Sequence, residues 1–240
     1  IDSPQLKYEL AQTLYRKPSW NDGRLDLALL KRIEEDAELQ RVLPPDGVRS
    51  DRPLGAFELA IPWMERARDE LAKRDPPEFL TQMGLYLRPD SMDGFIRECM
   101  LLQGMYDWQM GRTEEAKEWF RRAQRQTEDL VRKYPYPSPV VKDWAEMYKG
   151  YPQIVDLHVR ARSGKPEDER ALVEFLQNLL IRFGPIDSDL FWNRFDPDSF
   201  LNARKRKLAG GKDEGECNDS LLLASAPRAG ALVQANLEPR

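Results

Sequence analysis

This chain carries little of what enzyme chemistry usually needs. Its 240 residues include a single histidine, His158, and two cysteines, Cys99 and Cys217. Any reaction that depends on imidazole or thiolate therefore has almost no choice of residue. His158 lies on the flank of a helical pattern with Ile154, Leu157 and Ala161, and nothing in the sequence sets a nucleophile beside it. It reads as a satisfied helix histidine rather than a general base. Cys99 stands one helical turn from Phe95 and reads as a small apolar core residue, not an activated thiolate. Glycine-rich phosphate loops, paired CxxC units and a GxSxG elbow are absent from the sequence. The acidic runs Glu34-Glu35-Asp36 and Glu114-Glu115 fall in first turns or on exposed faces, where the helix dipole and water account for them. No catalytic, cofactor-binding or metal-ligating residue is assigned on these grounds, and a non-catalytic role is expected.

Recognition has better candidates. Arg121, Arg122, Arg125 and Arg132 form a basic rank interleaved with Glu118, Glu128 and Asp129. Such mixed faces are usually solvated, yet a helical groove lined by arginine suits an acidic peptide terminus. Of six tryptophans, Trp119 and Trp144 fall on apolar helix faces and are expected in the core. Trp20 and Trp192, beside Pro18 and Asp196-Pro197, are expected in loops where an indole can meet a ligand. A net charge of −4 disfavours nucleic acid as the partner. The run Arg204-Lys205-Arg206-Lys207 reads as a solvated helix end, with nuclear import or an RNA contact as the alternative.

The elements that must position these residues are helices. Asp2-Ser3-Pro4 caps a first one carrying Leu6, Tyr8, Leu10 and Leu14. A second is expected from about Asp22 to Val42, opened by Gly23-Arg24-Leu25-Asp26-Leu27-Ala28, and a third carries Phe57, Ala60, Ile61, Met64, Ala67 and Leu71. Pro62 inside the third should kink it or push its start forward, because the ring clashes with the preceding turn. A short helix is expected near Glu78–Leu87, another from Ser138-Pro139 to Gly150, and a strongly amphipathic one after Gly164 and Pro166. β-branched pairs occur only at Val140-Val141 and Ile154-Val155, both inside helical periodicity. About nine or ten helices are expected in all.

The most informative stretch is 92–135. Met92, Phe95, Cys99, Leu102, Tyr106 and Met110 recur at helical steps, Gly111 ends that helix, and Thr113 offers an N-cap oxygen to the next. The second stripe runs through Ala116, Trp119, Phe120, Ala123, Leu130, Val131 and Tyr134 to Pro135. Two helices joined this closely must lie antiparallel. Gly104, Gly111, Ala116, Phe120 and Ala123, with the string GRTEEAKEWFRRA, resemble the small and aromatic positions of a tetratricopeptide repeat. Gln103 stands where that family usually has leucine, and the second helix runs past the usual end. The resemblance covers these residues alone and implies a helical-hairpin fold with a surface for a protein or peptide. Gly23 and Gly164 open weaker echoes, but their spacings from Gly111 differ and neither is a simple multiple of the roughly 34-residue repeat period. Ordinary glycine helix stops remain the alternative reading.

The sequence thus predicts an all-α protein, a tetratricopeptide-like superhelix or an irregular helical bundle over 1–200, and a flexible tail over 201–240. No segment approaches the ~20 apolar residues that span a bilayer. Two cysteines without a disulfide framework favour an intracellular setting and leave a periplasm open. The chain opens at Ile1, as a trimmed or processed chain does, and what precedes it is not legible. The expected function is a protein-interaction scaffold or assembly subunit without a cofactor. The alternative is an α/α-barrel hydrolase using acidic residues and loop tryptophans. Gly210, Gly211 and the polar run to Ser220 have little apolar area to set against the entropy of ordering. Limited trypsin digestion is therefore expected to cut first between Arg204 and Lys212; first cuts in the helical body would show the tail to be docked instead.

Overall fold

Local signals start most of the helices. The Ser3 hydroxyl accepts the Leu6 N–H at 3.1 Å and opens α1, Pro4–Ser19. The Asp26 carboxylate accepts the Leu29 N–H at 2.9 Å and opens α2, Leu27–Glu35. Both side chains satisfy N–H groups that the first turn of a helix leaves without a partner. The computed structural model describes residues 3–19, 26–43, 52–81, 86–133 and 139–183. Among them lie α1, α2, α3 (Ala56–Leu71), α4 (Pro89–Gln109), α5 (Thr113–Lys133), α6 (Pro139–Tyr148), α7 (Tyr151–Ala161) and α8 (Pro166–Phe183). The fold is all-α, and no described helix is long and apolar enough to cross a membrane. Trp20, Trp192, Gly23 and the tail over 201–240 lie outside the described residues.

Two elements differ from expectation. The helix expected from Asp22 to Val42 stops at Glu35 because Asp36 offers the backbone another partner. Its carboxylate accepts the N–H groups of Glu38 and Leu39 at 2.9 and 3.2 Å, which favours a turn over continued helix. A single 3-10 turn at Leu39–Arg41 follows. The expected Glu78–Leu87 helix is instead an antiparallel ribbon of β1 (Phe79–Leu80) and β2 (Tyr86–Leu87). Phe79 and Leu87 are paired and buried, while Leu80 and Tyr86 are paired and face solvent. This is the alternation of a pleated pair, but strands of two residues are too short for periodicity to reveal. Of the two outcomes expected at Pro62, a start at that residue is not the one adopted: α3 runs through the proline from Ala56.

The described helices group into two compact units, and the division falls within α4, after Gln103. In the first, α1 packs along α3. Tyr8 sets its ring edge against Phe79 and Phe95 at 5.6 and 6.0 Å, and Tyr15 does the same with Phe57 and Phe95 at 6.4 and 6.2 Å. Edge-to-face aromatic contacts fix relative rotation better than aliphatic ones do. Charges reinforce this packing: the buried Lys7 ammonium spans both Glu70 oxygens at 2.6 and 2.5 Å, and Arg68 of α3 reaches the buried Asp93 of α4 at 2.8 Å.

The segment ahead of α3 is held by one amide. Gln40 donates to the Leu54 carbonyl at 2.9 Å and accepts the Leu54 N–H at 2.7 Å, the reciprocal exchange of a strand pair made by a side chain. The Trp63 indole donates to the Val42 carbonyl. Arg52 grips Glu58 with two bonds of 2.9 Å, and Glu58 in turn accepts the Gly55 N–H at 2.9 Å, so one carboxylate serves helix start and ion pair together.

In the second unit α5 packs on α6 and α7, and α7 packs on α8. Gly150 separates α6 from α7; a Cβ there would lie 3.1 Å from Leu179 and 3.4 Å from Phe175, so α8 comes close because that side chain is missing.

Gln12 on α1 is 2% exposed, and neither its Oε1 nor its Nε2 has a hydrogen-bond partner among the described residues. A buried amide left unmade costs about 1–3 kcal/mol. Gln12→Met keeps the volume and removes the polar atoms. Urea denaturation should show the variant more stable by roughly 1 kcal/mol or more; an unchanged or lower midpoint would mean that the amide is satisfied in solution.

Candidate functional site

The α4–α5 hairpin begins at its turn. Gly111 has φ +80°, a left-handed conformation that costs other residues about 1 kcal/mol or more. With it in place, the Gly111 N–H bonds the Trp108 carbonyl at 3.1 Å and the Arg112 N–H reaches back to the Asp107 carbonyl at 2.8 Å. Together these close the end of α4 as a Schellman motif. The Arg112 guanidinium then bonds the Asp107 carboxylate at 2.8 and 2.7 Å and lies 5.0 Å from the Tyr106 ring centre. Asp107 is fully buried, so its charge is carried inside by this arginine. Thr113, expected as the N-cap, is the first helical residue instead. The cap carbonyl is that of Arg112, which accepts the Ala116 N–H at 3.0 Å.

The two helices meet where the side chain is missing. A Cβ on Gly104 would stand 2.7 Å from Phe120 Cε1 and 2.9 Å from Cδ1, distances at which one of the two must move. Phe120 is 1% exposed and meets Tyr151 of α7 edge-on at 5.3 Å, and Tyr151 meets Tyr148 at 5.4 Å. Met105, Trp108, Phe120, Tyr151 and Ile154 are buried together between these helices. Burial among these rings, with Tyr148 adding to it, pushes the Tyr151 phenol well above its ordinary range.

Lys117 ties α5 to α7. Its ammonium bonds Asp156 at 2.7 Å and Glu114 at 2.6 Å, with the lysine side chain 10% exposed. Those two carboxylates raise its pKa, Asp156 most, against the opposing effect of burial. The pair is not legible from sequence, because Lys117 and Asp156 sit on separate helices. The one local cue is Glu114, three residues before the lysine.

Of the expected site residues, four fall on α5. Arg125 and Arg121 both reach Glu118, at 2.6 and 3.7 Å, and these guanidinium groups, Arg125 first, hold the Glu118 carboxyl below its usual range. Arg132 pairs with Asp129. Arg122 turns aside and lies over the Trp119 ring at 4.1 Å, a cation–π arrangement. Arg121, Arg125 and Arg132 form one solvent-facing row, with side chains 44%, 56% and 73% exposed; Arg122 stands beside it. Trp119 and Trp144 are buried as expected.

His158 is 1% exposed and sets its edge against Trp108 at 5.2 Å; Cys99 is fully buried in α4. Among the described residues no group of three His, Cys, Asp or Glu side chains is placed to hold a metal ion. α4 is buried more completely than its predicted stripe, since every residue from Ile96 to Trp108 is inside. At its far end Met110, expected in the stripe, is instead 38% exposed.

Two glycines separate two physical causes. Gly111→Ala should lower stability by roughly 1 kcal/mol through backbone strain alone, as none of the described residues lies within 4 Å of the added Cβ. Gly104→Ala should cost more, about 1–3 kcal/mol, because the Phe120 ring must be displaced. A double variant Gly104→Ala with Phe120→Leu should recover part of the Gly104 loss; no recovery would place the strain elsewhere.

Lys117→Met should cost about 1–2 kcal/mol, at the lower end because Asp156 is half-exposed and screened. The folded lysine has the higher pKa, so its contribution is complete below the ordinary lysine value of 10.5 and fades as pH rises through the raised value. The difference between wild type and variant, followed by denaturation against pH, should be constant near neutrality and shrink in strong alkali. A difference that shrinks toward acid alone would assign the effect to the carboxylates.

Searches against protein-family models, curated proteins and solved structures find no match to this chain.

Proposed function

We propose that this protein is a non-catalytic interaction module whose α4–α5 hairpin, of tetratricopeptide-like character, presents the outer face of α5 to an acidic segment of a partner protein. The observation that carries the reading is the division of labour on α5. Ala116, Trp119, Phe120, Ala123 and Thr127 are buried, while Arg121, Arg125 and Arg132 stand in one exposed row. Binding on that row leaves the packed face untouched.

The chemistry of the row suits a carboxylate-rich partner. Each arginine already holds a carboxylate of its own helix, and exposed pairs of this kind are worth about 1 kcal/mol or less. A partner's carboxylate can therefore replace Glu118 or Asp129 at little cost, with the planar guanidinium supplying two N–H bonds. Such contacts steer encounter more than they add affinity, so binding should weaken with salt.

The test is copurification from the native host with wild type and with Arg121→Glu/Arg125→Glu, both checked for unchanged helical content by circular dichroism. Reversal of two rim charges should weaken capture of the partner by about tenfold or more, and wild-type capture should fall as salt is raised. A partner retained equally by the folded double variant would overturn the assignment of this face.

A further inference from the structure

We draw no further inference here: the strongest candidate, the solvent-facing Leu80–Tyr86 pair on the β1–β2 ribbon, is an unpartnered apolar face, and nothing in the structure shows what covers it.

Discussion

The second unit is organised by an absence of atoms: at Gly104 there is no side chain, and the Phe120 ring takes the space. Helices approach to the distance their contact residues permit, so this glycine sets how near α5 lies to the end of α4. Phe120 in that position meets Tyr151, and on the same helix Lys117 reaches Asp156. An aromatic edge and an ion pair thus join α5 to α7 about one helical turn apart on α5. Gly111 makes the arrangement possible by reversing the chain within a few residues, and Asp107 with Arg112 fixes that reversal from both backbone and side chains.

Four of the buried charged side chains share one arrangement. Lys7, Asp93, Asp107 and Lys117 are all buried, and each meets an opposite charge at 2.5–2.8 Å. Three of these pairs, Lys7–Glu70, Arg68–Asp93 and Lys117–Asp156, join different helices. Desolvation offsets much of the attraction in such pairs, and the costly event is the loss of one partner, as in a shifted helix that leaves a buried charge alone. Apolar packing tolerates small slides; a carboxylate held at hydrogen-bond distance does not. In the first unit Gln40 acts in the same way without charge, since its amide meets both the donor and the acceptor of Leu54.

The amino-acid sequence by itself determined what depends on near neighbours. Helical periodicity, the Ser3 cap, the stop at Gly111 and the inward positions Ala116, Trp119, Phe120 and Ala123 of α5 all act over one or two turns, where propensity and capping operate. The basic row on α5 was legible for the same reason, because residues three and four apart share a face. Tertiary structure alone decided which distant residues meet. Whether Phe79 would meet Tyr8, where Gln40 would seat its amide, and which carboxylate Lys117 would hold depend on contacts between residues far apart in the chain. Those contacts form only when the whole unit packs, and the entropy lost in bringing them together is repaid by burial of the surrounding surface rather than by any local preference.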